Sequence, residues 1–197
     1  DFRVNDLGSA SEAVVARLCG ALAANTTITD LSLDSNDLGS APEAVMARLG
    51  DALAKNTTIT TLELSSNNLG SAPEPVMTRL CDALAANTTI TSLDLGLNNL
   101  GSAPEAVMAR MCDALAANTT ITTLSLVNNN LGSAPEAVMA RLSDALAAST
   151  AIINFDNNGL EGSTAPSAPH LLELSRENAA APREAEQRAR CLLFCCV

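Results

Sequence analysis

Apolar and polar positions along this chain follow two alternating periods. In Ile59-Thr60-Thr61-Leu62-Glu63-Leu64 leucines and polar residues exchange at period two, which predicts a short strand. Val45, Leu49, Ala52 and Leu53 fall at i, i+4, i+7 and i+8, which predicts a helix with one apolar stripe to lay on a sheet. The unit then returns: the pattern LxLxxNxL occupies Leu31 to Leu38, Leu62 to Leu69, Leu93 to Leu100 and Leu124 to Leu131, a spacing of 31 residues. A fixed period of this length predicts a solenoid, in which each strand-turn-helix unit buries its apolar face only against its neighbours. Asn67 turns the chain after its strand, and its amide is expected to satisfy backbone groups inside the bend. Asn36, Asn98, Asn129 and Asn158 take the same structural role. Gly70-Ser71-Ala72-Pro73-Glu74 reads as a capping box, with Ser71 as N-cap and Glu74 three residues beyond. Asn25, Asn56, Asn87 and Asn118 close the helices.

Strands stack about 4.8 Å apart whereas helices need roughly 8 to 10 Å, so the stack must curve with its strands inside. The expected fold is an α/β solenoid, a right-handed horseshoe of about five 31-residue repeats with parallel strands on the concave face and helices on the convex face. The LxLxxNxL units make the chain similar to leucine-rich repeats of the ribonuclease-inhibitor-like class. Asp82-Ala83-Leu84-Ala85-Ala86-Asn87-Thr88-Thr89-Ile90-Thr91 resembles phrases in the repeat regions of NOD-like receptors, and that resemblance implies one part of a regulatory or sensor protein. It covers roughly residues 1 to 160 and speaks to fold more than to function, because one architecture serves inhibitors, receptors and scaffolds alike.

The first residues sit inside a repeat: Phe2, Asn5 and Leu7 hold the places of Leu33, Asn36 and Leu38. Either the chain is a fragment of a longer protein, or a partner covers that edge. The fifth repeat, Ile153 to Leu160, arrives two residues early. Residues 1–160 are expected to form the solenoid and 161–197 a C-terminal loop and short helical cap.

A net charge of −11 argues against nucleic acid, which needs a basic stripe, and favours a protein partner with a basic segment. Concave-face positions follow from the strand period: Asp30, Ser32 and Asp34; Thr61, Glu63 and Ser65; Ser92, Asp94 and Leu97; Thr123, Ser125 and Val127. Acidic at one end and apolar at the other, they suit a segment with a basic and an aliphatic end, and they equally suit a plain solvated face. The function expected is non-catalytic protein binding there. The alternative is an accessory subunit built into a large assembly through the open N-terminal edge or the C-terminal tail.

Other features have local explanations. Arg17, Arg48, Arg79, Arg110 and Arg141 form a ladder, the last four each three residues before an aspartate; a docking stripe on the convex side is one reading, and i,i+3 and inter-repeat ion pairs are the simpler one. The sequons at Asn25, Asn56, Asn87 and Asn118 repeat one helix-ending phrase. Ranks of Thr-Ile-Thr suggest an ice-binding surface only if the face were flat, which curvature opposes. Cys19, Cys81 and Cys112 share a helix slot that is Gly50 and Ser143 elsewhere, and free thiols favour an intracellular compartment. Cys191, Cys195 and Cys196 could anchor the tail, with membrane contact only through acylation; packing into the cap is the simpler reading. No cofactor is expected. One histidine, His170, leaves no multi-histidine metal site, and no phosphate loop or activated carboxylate pair is visible, so the chain is not expected to be an enzyme.

Overall fold

The computed structural model describes residues 1–147 and 151–176. Leu62 and Leu64 are fully buried while Thr61 and Glu63, which alternate with them, are half-buried, and this alternation places one strand in each repeat. The strands are β1 (Asp30–Ser32), β2 (Thr61–Glu63), β3 (Ser92–Asp94), β4 (Thr123–Ser125) and β5 (Ile152–Asn154). They form one parallel sheet in chain order, with Leu31, Leu62, Leu93, Leu124 and Ile153 in register. The helices are α1 (Glu12–Ala24), α2 (Glu43–Lys55), α3 (Glu74–Ala86), α4 (Glu105–Ala117) and α5 (Glu136–Ala147), each packed on the next. Val45, Leu49, Ala52 and Leu53 are buried, as the stripe predicted. Residues 168–176 are helical one period past α5: Ala168 and Leu171 are buried, Ser167 donates to Glu136 at 2.6 Å, and the Ser143 hydroxyl shares a hydrogen bond with His170 Nδ1.

Adjacent repeats are joined by one set of five hydrogen bonds. Between the second and third LxLxxNxL units, Leu64 N–H donates to Asp94 O, Ser66 N–H to Gly96 O, Asn67 and Leu69 N–H to Asn98 Oδ1, and Gly70 N–H to Asn98 O, over 2.8 to 3.2 Å. The set begins with Phe2, Val4, Asn5, Leu7 and Gly8 donating to Ser32, Asp34 and Asn36. It ends with Leu126, Asn128, Asn129, Leu131 and Gly132 donating to Asn154, Asp156 and Asn158. Asn158 lies 29 residues after Asn129 instead of 31 and makes the same bonds, so the early fifth repeat is absorbed outside the ladder. The ladder role expected for Asn36, Asn67, Asn98, Asn129 and Asn158 is present at each position, and all five side chains are buried.

One local expectation fails and another holds only in part. Ser71 ends a 3-10 turn, Leu69–Ser71, and the helix starts three residues later on Pro73, whose carbonyl receives Val76 and Met77 N–H. There is no side-chain cap bond and so no capping box; the 3-10 turn takes up the residues that a serine cap would need, and Glu74 serves only as a first-turn charge. The arginine ladder pairs between repeats and not at i,i+3: Arg48 with Glu12, Arg79 with Glu43, Arg110 with Asp82 and Arg141 with Asp113, at 2.6 to 3.1 Å. Each partner is about half exposed, which limits such a pair to a few tenths of a kcal/mol.

Candidate functional site on the strand face

The strands set the site in rows. One row runs Asp30, Thr61, Ser92 and Thr123, and the next Ser32, Glu63, Asp94 and Ser125. Two residues before each ladder asparagine stand Asp34, Ser65, Gly96 and Val127. Asp30, Thr123 and Leu97 are exposed; Asp34, Thr61, Glu63, Ser65, Ser92, Asp94, Ser125 and Val127 are half-buried. Ser32 departs from the expectation. It is only 9% exposed, short and closed in between the opening segment that bonds its carbonyl and Glu63 on β2, so its hydroxyl is not offered to a partner.

Three carboxylates meet here. Glu63 and Asp94 are direct register neighbours, and like charges so placed repel. Burial pushes the Asp34 carboxyl above its ordinary range, the charges of Glu63 and Asp94 push the same way, and hydrogen bonds such as that from Ser65 N–H at 2.8 Å hold it down. Asp94 Oδ1 accepts Gly96 N–H at 2.8 Å, which fixes its direction. Beside them Leu97 is 55% exposed and held at φ 56°, a left-handed conformation that a branched apolar side chain disfavours.

Both residues flanking each ladder asparagine are left-handed, and sequence reasoning did not foresee this. Asp37, Asn68, Asn99, Asn130 and Gly159 on the far side are residue types that tolerate it, a signal that was present; Ser35, Ser66 and Leu97 on the near side give none. A second asparagine ladder was also missed. Asn56 Nδ2 donates to Leu22 O at 2.7 Å, Asn87 to Leu53 O at 2.8 Å and Asn118 to Leu84 O at 2.7 Å, while each Oδ1 accepts two N–H groups of the turn that follows. The sequon amide nitrogens of these three residues are therefore committed to the fold.

Cys19, Cys81 and Cys112 are free and buried, one on each of three helices. Burial pushes the Cys81 and Cys112 thiols from the ordinary 9.0 up to about 12, so neither is a nucleophile near neutrality. Alkylation of both in the folded protein is expected to be slow at pH 8 and to become rapid in denaturant, as read by mass spectrometry. A raised thiol pKa also has a sign for stability: below about pH 9 both states are protonated and nothing changes, whereas between about 9 and 12 only the unfolded chain ionises and the fold weakens. The double Cys81→Ala, Cys112→Ala variant should lose less stability over that window, and an equal loss would remove the thiols from the account.

His170 lies away from the strand rows, against Ser143. Among the described residues no group of three His, Cys, Asp or Glu side chains is placed to hold a metal, and no helix is long and apolar enough to cross a membrane. Cys191, Cys195 and Cys196 lie outside the described residues, as do residues 177–197 of the expected cap.

A leucine-rich repeat family model matches residues 24–41, 55–72, 86–103 and 117–134, the stretches that carry β1 to β4 and their asparagine turns. These four stretches are leucine-rich repeats, and the chain has the leucine-rich-repeat fold. Its structure is similar to that of leiomodin-1 actin-binding site 2, at a TM-score of 0.60 and 17% identity, over 90% of this chain and 96% of that one. It is similar to LegL7 from Legionella pneumophila, at 0.53 and 24%, over 88% and 61%. It is also similar to the C-terminal domain of tropomodulin from Caenorhabditis elegans, at 0.62 and 10%, over 88% and 98%. At these identities the likeness is one of fold. No curated protein matches the chain. Domains of this fold are typically protein-interaction modules and usually non-catalytic.

Proposed function

We propose that the chain binds a protein segment along its strand face, with basic residues of the partner over Asp34, Glu63 and Asp94 and an aliphatic end over Leu97 and Val127. The observation that carries this reading is the carboxylate group. Hydrogen bonds, and no cation among the described residues, hold the Asp34 carboxyl down against its neighbours, so a cationic ligand gains what the fold leaves uncompensated. Exposure of Leu97 in a costly backbone conformation adds an apolar contact point at the same place. Leiomodin-1 is described by an actin-binding site; at 17% identity its partner does not carry over to this chain.

A synthetic peptide with a Lys/Arg cluster followed by a Leu/Val end is the probe, followed by fluorescence anisotropy at low and high salt. Glu63→Arg with Asp94→Arg is expected to weaken binding about tenfold or more with little change in melting, since both residues are only partly buried. Leu97→Asn should weaken binding while stabilising the fold by roughly 1 kcal/mol, because asparagine tolerates the left-handed turn. Unchanged affinity in the charge-reversed variant would remove the strand face as the site.

A further inference from the structure

The strand face of the middle repeats offers a partner side chains rather than an open strand edge. β2, β3 and β4 each have a strand on both sides, so none of them can take an added strand. An extended segment laid across such a face keeps its own N–H and C=O groups unpaired against the sheet, whereas a helix bonds them internally. Spacing agrees. Glu63 and Asp94 are register neighbours, about 4.8 Å apart. Val127 stands one repeat on from Asp94 and two residues past Ser125, the register partner of Asp94, so roughly 12 Å separate it from Glu63. Residues i+3, i+7 and i+8 of one helix face lie about 4.5, 10.5 and 12 Å along the axis from residue i, which meets both intervals. Same-face residues of an extended segment come about 6.6 Å apart and overshoot the first interval. Between Asp34 and Val127 the row holds only Ser65 and Gly96, with the exposed Leu97 beside it, and this trough takes one ridge of a helix.

We infer that the segment bound on the strand face is a single amphipathic helix crossing the strands, with basic residues one turn apart over Glu63 and Asp94 and aliphatic residues at i+7 and i+8 over Leu97 and Val127. The inference rests on the strand-face reading above and gives its partner a shape. Both carboxylates are ready for cations. Asp94 Oδ1 is held by Gly96 N–H at 2.8 Å while Oδ2 makes no bond among the described residues, and the Glu63 carboxylate makes none either. Direction follows from charge. A helix carries partial positive charge at its N-terminus, so that end belongs over Asp34, Glu63 and Asp94, and the C-terminal half over the fourth repeat. Cations in its own first turn weaken the same helix when it is free, so the segment folds as it binds.

Three labelled synthetic peptides of one composition, followed by fluorescence anisotropy against the full chain, form the test. One carries Lys at i, i+3 and i+4 and Leu at i+7 and i+8; the second places Lys and then Leu at every other residue; the third reverses the order of the first. The first is expected to bind about tenfold tighter than either of the others. Proline at a solvent-facing place in its middle should cost it about as much, because the ring breaks a helix without touching a contact. Glu63→Gln with Asp94→Asn, which keeps an acceptor for Gly96 N–H, should bring all three peptides to one weak affinity. Circular dichroism melts check that this variant keeps its fold. Equal or tighter binding of the alternating peptide, or indifference to the proline, overturns the helix and leaves strand-face binding standing. Equal binding of the reversed peptide overturns the direction. If no peptide binds at concentrations up to about 1 mM, or if the neutralised variant binds as the wild type does, the strand-face reading fails and the inference falls with it.

Discussion

Asn98→Leu is expected to destabilise the fold by roughly 3 to 5 kcal/mol, a loss of about 10 °C in melting temperature for a domain of this size. The Asn98 side chain is fully buried and makes five bonds: Oδ1 accepts Asn67 and Leu69 N–H, and Nδ2 donates to the carbonyls of Leu64, Leu95 and Gly96, at 2.9 to 3.2 Å. Leucine fills the space and satisfies none of them. The cost is that of backbone groups stranded away from water on two adjacent repeats, more than one lost contact, because removing one partner exacts the full desolvation penalty of the other. Asn128→Gly is the comparison: Asn128 is exposed and left-handed, and glycine adopts that conformation freely, so its melt should move little. Similar melts for both variants would show that the ladder contributes little beyond packing.

Gly101→Ala is the second large effect, expected at about 4 kcal/mol or more. A Cβ on Gly101 would stand 2.1 Å from the carbonyl oxygen of Asn130 in the next repeat and 2.5 Å from its carbon. Both are backbone atoms held by the junction bonds, so neither can turn aside as a flexible side chain would. The requirement is for close approach, not for a left-handed φ, and it returns at Gly8, Gly39, Gly70 and Gly132. Gly20→Ala should do the opposite. Gly20 lies exposed within α1 with nothing within 4 Å of its added Cβ, so alanine should raise stability by roughly 0.5 to 1 kcal/mol through helix propensity. Chemical denaturation of the two variants side by side reads both signs, and a mild effect at Gly101 would mean that adjacent repeats can slide apart.

Much of the fold was legible because the chemistry repeats. Leucine at alternate places and asparagine at a constant distance can be satisfied together only by stacked parallel strands, and the period supplied the stacking direction. What stayed hidden depends on the neighbouring repeat. Ser71 has the right spacing for a capping box and loses that role to a 3-10 turn that no short-range pattern announces. Asn56 reads as a helix end and a sequon, while its deeper part, an amide bond to the preceding helix, needs the distance to Leu22 O. Ser32 satisfies the strand period and is nevertheless covered, because exposure on this face depends on the size of the side chains beside it. Acidity of the strand face was legible. The mutual repulsion of Asp34, Glu63 and Asp94 was not, since it arises from three strands brought side by side.

The constancy of the junction also bears on how such a gene can change. A recombination that adds or removes 31 codons leaves every surviving boundary with the same five bonds and the same glycine under the next carbonyl. Loss of 30 or 32 codons at the same place displaces an asparagine from its acceptors unless the slack falls outside the ladder, as it does before Asn158. Length is therefore the trait this architecture can vary most freely, one whole period at a time, while the frame of each boundary stays under selection.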